Sequence, residues 1–155
     1  LGHRTALFVH EPQRSPAYVS AGMLRIEGLQ RHVGVVSAAV DGPSGIDQRI
    51  LRAARDAGAT AIVANHDRFA AALLDLQRAR PEGERMPVIG YDDGELAEGL
   101  GLTTVRQPFE ESGRAALELA LGLVSGTSLS RDTVRLAPTL VERASSLRGV
   151  TPGRR

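Results

Sequence analysis

Pro87-Val88-Ile89-Gly90-Tyr91-Asp92-Asp93-Gly94 is a short apolar run that stops at two adjacent carboxylates and a glycine. Val88 and Ile89 are β-branched, the run is too short for a helix, and turn-forming residues close it. It therefore reads as a buried strand that opens at its carboxyl end into a polar loop. The same construction recurs on both sides. Upstream, Thr5–His10 (TALFVH) leads into Glu11 and a loop from Pro12 to Pro16, and Ala59–Ala64 (ATAIVA) leads into Asn65-His66-Asp67. Val33–Val40 (VGVVSAAV) ends at the turn cluster Asp41-Gly42-Pro43, and Leu102–Val105 is a short strand with Gln107 just past it.

Between these runs lie segments of helical period. From Ala17 to His32, the residues Val19, Met23, Ile26 and Leu29 recur at spacings of three and four. Ser44 stands where a cap belongs for a helix with Ile46, Ile50, Leu51 and Ala54 on one face, and Gly58 follows it as a C-cap glycine. Asp67–Arg80 turns Phe69, Leu73 and Leu76 inward. Pro108–Ser125 has Pro at its start, Glu110 and Glu111 in its first turn and Gly126 past its end. Two strand-like runs follow, Thr133–Leu136 and Leu140–Arg143, and Arg148–Arg155 has no apolar period and reads as a disordered tail. Strand alternating with helix predicts an α/β fold, a doubly wound and mostly parallel sheet with helices on both faces. In such sheets ligands bind beyond the carboxyl ends of the strands, near the topological switch point.

Composition narrows the chemistry. The 155 residues suit one ordinary domain, and 42% hydrophobic with 24% charged residues describes a globular protein with a real core. A net charge of +1 gives no global field for nucleic acid or membrane. The chain has no Lys, Cys or Trp. That excludes a P-loop lysine, a Schiff-base amine, a thiolate nucleophile, a disulfide scaffold and cysteine-ligated zinc. His3, His10, His32 and His66 show no metal spacing, so neither metal nor cofactor is expected. The apolar runs fall short of a membrane span and no charged-then-apolar leader opens the chain, so the expected location is cytoplasmic.

The strand ends carry the candidate site. His10-Glu11, Asn65-His66-Asp67, Asp92-Asp93 and Gln107 each follow an apolar strand, and Arg25 lies in the first helix within reach of the same mouth. An arginine fork, carboxylates, an imidazole and amides form a hydrogen-bonding set suited to a polyhydroxylated ligand. No nucleophile has an adjacent base, and an enzyme is not expected. Plainer roles stand beside these: Asp67 serves equally well as a helix cap, Asp93 before Gly94 as a turn former, and each His as a satisfied or exposed side chain. Asp92 is harder to assign to a bland role, because adjacent carboxylates repel unless donors surround one of them.

Five segments together resemble the effector-binding domain of the LacI/GalR family of transcriptional regulators. They are Leu1-Gly2-His3-Arg4 before the first strand, Arg25-Ile26-Glu27-Gly28-Leu29, Ala64-Asn65-His66-Asp67, Val88–Asp93 and, about ten residues further on, Leu102–Pro108. Pro138–Ser145 is similar to the family's closing strand. The resemblance implies one lobe of a type I periplasmic-binding-protein-like fold that closes on a small effector, a sugar or related metabolite. It implies a homodimer, with operator DNA read only by a helix-turn-helix headpiece that lies, with most of the first lobe, outside these residues. It divides the chain into a C-terminal lobe (1–107), a helix and strand returning to the first lobe (108–137), a closing strand (138–147) and the tail (148–155). By position it implies effector contacts from Arg25, Asn65, His66, Asp92 and Gln107, with His10, Asp67 and Tyr91 as cleft neighbours. The family usually shows Asn directly before the Asp where this chain has His66, so Asn65 and His66 both stand as candidates for that contact. Tyr91, Phe69 and Tyr18 are the available aromatic platforms. The apolar face of the helix at Pro108–Ser125 (Phe109, Leu117, Leu121, Val124) is expected to be covered by another copy or by displaced packing within the chain. A solute-binding protein of a sugar transport system is the alternative reading of the same fold.

Overall fold

A computed structural model describes residues 2–126 and 133–147 of the chain. The elements run β1 (Thr5–His10), α1 (Ala21–Gln30), β2 (Gly34–Ala39), α2 (Gln48–Asp56), β3 (Ala61–Ala64) and α3 (Asp67–Gln77). They continue with β4 (Val88–Asp92), α4 (Glu95–Gly99), β5 (Thr103–Arg106), α5 (Phe109–Val124) and β6 (Thr139–Val141). The six strands form one sheet in the order β2-β1-β3-β4-β5-β6, parallel throughout except for β6, which runs antiparallel along β5. The expected doubly wound, mostly parallel sheet is therefore present. The chain leaves β1 toward β2 and then returns past it to β3, so the winding reverses between β1 and β3.

The core follows from strand alternation. Leu7 and Val9 of β1, Ile62 of β3 and Val88 of β4 pack with Leu51, Phe69, Leu73 and Leu102 in one buried cluster on the face covered by α2, α3 and α4. Ala6 and Phe8, also buried, alternate to the other face, where right-handed crossover places α1 with its buried Ile26. Edge strand β2 is half-exposed along its length.

Several boundaries differ from the sequence reading, each for a local reason. Helix α1 starts at Ala21 because the Ser20 side chain accepts from the Met23 N–H, which caps the helix a turn later than Ala17. Ser44 does not cap α2; Pro43–Gly45 is a single tight turn, and Asp47 caps the helix by accepting from the N–H groups of Arg49 and Ile50. Gly58 does terminate α2, at a φ of 83° that favours glycine. Asp67 does not cap α3: His66 holds the N-cap position and Asp67 lies in the first turn. The five-residue α4 was not anticipated. The strand expected at Thr133–Leu136 does not form; those residues are exposed and pair with no strand among the described residues. The tail at 148–155 lies outside the described residues.

Helix α5 buries none of its residues. Phe109, Leu117 and Leu121 are exposed, and Val124 is 88% exposed. Packing among the described residues therefore does not cover this face, and displaced packing of the expected kind is not found among them.

Candidate functional site

The carboxyl ends of the strands meet at the crevice where the winding reverses. Glu11 follows β1, and its carboxylate spans the gap to the end of β3. Oε2 accepts from Asn65 Nδ2 at 2.8 Å, and Oε1 accepts from His66 Nε2. Asn65 Oδ1 accepts from Arg25 Nη1 at 2.8 Å, and the same Nη1 donates to the Asn65 carbonyl at 2.6 Å. Arg25 comes within reach because Gly22, one turn earlier in α1, packs directly against the Asn65 amide, where a Cβ would lie 3.3 Å from Oδ1. The guanidinium lies 3.5 Å above the centre of the Tyr91 ring, within range for cation–π attraction. Arg25, Asn65, His66 and Tyr91 thus come together, joined by Glu11.

Glu11 is half-buried, with 41% of its side chain exposed. That burial alone raises its pKa. Hydrogen bonds from His66 and Asn65, its own backbone N–H and the charge of His66 outweigh it and hold the carboxyl below the ordinary 4.5.

At the end of β4, Asp92 and Asp93 both take positive φ, 113° and 55°. Such angles are uncommon outside glycine, and Asp tolerates them better than most residues. The resulting sharp turn sends the two carboxylates to different partners. Asp92 Oδ1 accepts from Gln107 Nε2 at 2.6 Å, which joins the ends of β4 and β5 at the cleft. Asp93 is turned inward with 6% of its side chain exposed, between Arg106 Nε at 2.6 Å and Arg143 Nη1 at 2.7 Å. Burial alone would raise its pKa, but the bonds and charges of Arg143 and Arg106 prevail and hold it below the ordinary 3.8. Asp93 is more than a turn former, since it ties β5 to the segment after β6.

An open groove of about 440 Å³ lies at these strand ends, lined by His66, Asp67, Arg68, Asp92, Glu95 and Leu96 among others. Asp67 sits at its floor, with both carboxylate oxygens turned to protein donors. Oδ1 accepts from the Thr104 hydroxyl at 2.6 Å and Oδ2 from the Gly94 N–H at 2.9 Å, so it braces the start of α4 against β5. His10 is removed from the groove: it is buried, Nδ1 donates to the Glu11 carbonyl at 2.6 Å, and Nε2 meets the Ser37 hydroxyl at 2.8 Å. Phe69 is fully buried and Tyr18 lies on the exposed surface, so neither offers a cleft platform, and the Tyr91 ring is occupied by Arg25. Among the described residues no group of three His, Asp or Glu side chains is placed to hold a metal.

Several hydrogen-bonding valences remain open in this constellation. Asp92 Oδ2, Gln107 Oε1 and Arg25 Nε and Nη2 make no hydrogen bond among the described residues. Asn65, by contrast, has both ends of its amide engaged. The arrangement can accept from and donate to several hydroxyls at once but offers no activated nucleophile. Glu11 was visible in the sequence only as the polar residue after the first strand; nothing local marked it as the partner of residues more than fifty positions away.

Polar side chains gathered at the carboxyl ends of the strands, beside the point where the winding reverses, stand on the side where doubly wound α/β lobes bind ligands. Comparison with known proteins gives that class a family. The profile of the "Periplasmic binding protein-like domain" family matches residues 1–146. The chain is 33% identical over 135 residues to the HTH-type transcriptional repressor PurR of Vibrio cholerae, a match covering 77% of this chain and 40% of that protein. Its fold superposes on a LacI transcriptional regulator from a Rhodococcus species with a TM-score of 0.63 and 31% identity, covering 94% of this chain and 56% of that one. A transcriptional regulator CelR–cellobiose complex gives a TM-score of 0.71 at 27% identity, with coverage of 93% and 47%. The chain belongs to the periplasmic binding protein-like domain family, as one lobe of a LacI/GalR-type effector-binding domain. It spans less than half the length of the curated relatives it matches. Among the described residues no helix is long and apolar enough to cross a membrane.

Proposed function

We propose that this chain is the effector-sensing lobe of a transcriptional regulator, and that it binds a small polyhydroxylated metabolite, a sugar or a related compound. The observation that carries the reading is the set of open donors and acceptors on Arg25, Asp92 and Gln107 at neighbouring strand ends, braced by Asn65, His66 and Glu11. Sugars offer alternating donors and acceptors, and a carboxylate, a guanidinium and an amide satisfy them in complementary ways. The complex of the CelR relative with cellobiose supports a carbohydrate effector. The protein works without catalysis, as a homodimer in the cytoplasm, and reaches operator DNA through a headpiece outside these residues.

Regulation requires the effector to bind one arrangement of the lobes better than another, because a ligand indifferent to both shifts nothing. Moving a two-state equilibrium from 1:99 to 99:1 takes a preference of about 10⁴-fold. Contacts from this lobe alone bind weakly; those of the opposing lobe, made only on closure, supply the difference. The test uses the full-length protein, in a thermal-shift screen of sugars followed by titration calorimetry on the binders. Asp92→Asn and Arg25→Ala should each weaken binding at least tenfold, and the effector should change operator affinity in a fluorescence-anisotropy assay. Unchanged affinity in both variants would remove the site assignment. Binding of a sugar with no effect on any DNA, together with an export signal in the gene, would favour a transport protein.

A further inference from the structure

The effector contacts implied by family resemblance do not include Glu11, yet its carboxylate organises the crevice. A carboxylate accepts only, so its bond to Asn65 fixes the amide with Nδ2 toward Glu11 and Oδ1 toward Arg25. Arg25 and Glu11 therefore never meet: a neutral amide separates them, and the guanidinium is applied to Asn65 and the Tyr91 ring. On its other side Glu11 holds His66, whose Nδ1 is buried with no hydrogen-bond partner among the described residues. The Asn65 amide is engaged at both ends as a bridge, while Glu11 keeps 41% of its side chain exposed and retains lone pairs on both oxygens.

The charges around the groove are lopsided. Asp92 and Glu95 line it, Asp67 lies at its floor held by neutral donors only, and Glu11 adjoins it through its bond to the lining His66. Among the described residues Arg68 is the one arginine lining the groove and Arg25 is separated from Glu11 by the Asn65 amide, whereas the arginines Arg106 and Arg143 are committed to Asp93. In a concave site with protein walls such an imbalance acts strongly on a ligand charge. We propose that Glu11 is a specificity-determining residue of the effector crevice, reading hydroxyl or ammonium donors and selecting neutral or amine-bearing polyols over phosphorylated or carboxylated ones. This rests on the reading of the crevice as an effector site.

The test is a panel of related sugars differing in charge, presented to the full-length protein by titration calorimetry: D-glucose, D-glucosamine, D-gluconate and D-glucose 6-phosphate, with D-ribose, D-ribonate and D-ribose 5-phosphate. The neutral or amino form should bind at least tenfold more tightly than its anionic counterpart, and the ratio should shrink as salt is raised from about 20 to 500 mM. Glu11→Gln, which keeps the shape and removes the charge, should narrow the ratio at least threefold. An anionic form bound as tightly as its neutral parent overturns the proposal, as does a ratio indifferent to both salt and Glu11→Gln. The wild-type ratio and its salt dependence decide the matter even if the variant fails to fold. Failure of every panel member to bind in any charge form sinks the sugar reading beneath the proposal, an outcome distinct from an anionic preference.

Discussion

Replacing Gly90 with alanine puts a methyl group where the structure has no room for one. A Cβ built on Gly90 lies 2.3 Å from Asp67 Oδ1, 3.0 Å from Leu102 Cδ2 and 3.3 Å from Ala70 Cβ. The backbone at Gly90 is ordinary strand, so the glycine is required for space and not for its dihedral freedom. Asp67 cannot swing aside freely, because Oδ1 holds the fully buried Thr104 hydroxyl at 2.6 Å and Oδ2 the Gly94 N–H. Displacing it forfeits a hydrogen bond to a charged group, worth about 1.5–3 kcal/mol. The crowding adds about 1–3 kcal/mol, and the stiffer unfolded chain returns about 0.4–1 kcal/mol. Gly90→Ala should therefore destabilise the chain by about 2–5 kcal/mol. Urea unfolding followed by circular dichroism is the assay, since the chain has no Trp to report by fluorescence. Asp67→Ala removes the obstructing oxygen, so Gly90→Ala should cost about 1–2 kcal/mol less in that background, a coupling within the range of neighbouring residues. A cost below about 1 kcal/mol, or the same cost in both backgrounds, would refute the argument that Asp67 and Gly90 share one space.

Two further outcomes are expected. The depressed pKa of Asp93 means that its contribution to stability is fully present above the ordinary 3.8 and fades as the pH falls below it. Asp93→Asn should cost about 1–3 kcal/mol at pH 7, most of it from the Arg143 arm because Arg106 is largely exposed, and should flatten the loss of stability in acid when unfolding is followed across pH 2–6. On α5, Leu117→Glu combined with Leu121→Glu should leave stability within about 0.5 kcal/mol, because neither side chain is buried in the chain. The same pair should reduce self-association in analytical ultracentrifugation; a marked fall in melting temperature would instead mean that the face packs within the chain.

Much of the architecture was legible because it rests on local rules. Apolar runs of four to six residues separated by segments of helical period dictate alternating strands and helices, and the short connections between them dictate a parallel sheet. The Gly58 terminus and the polar strand ends at Asn65, Asp92 and Gln107 follow from the same reasoning. Ends differed where two capping residues stand within a few positions, as Ser44 and Asp47 do; Ser44 is taken into the tight turn Pro43–Gly45 and Asp47 accepts from the first N–H groups of α2. The strand at Thr133–Leu136 failed because β propensity forms no strand without a neighbour to pair with.

The sequence by itself determined which residues stand at the strand ends, because alternation and turn chemistry act over a few positions. Only the tertiary structure decided what each one does there. Asp67, Asp92 and Asp93 have identical side chains and lie within 26 positions of one another, yet one braces α4, one opens on the cleft and one is held between two arginines. The strand order that sets β1 beside β3 brings Glu11 to Asn65 and His66 across 54 and 55 positions. A carboxylate's role depends on the donors that reach it, and at those separations it is the winding of the sheet that chooses the donors.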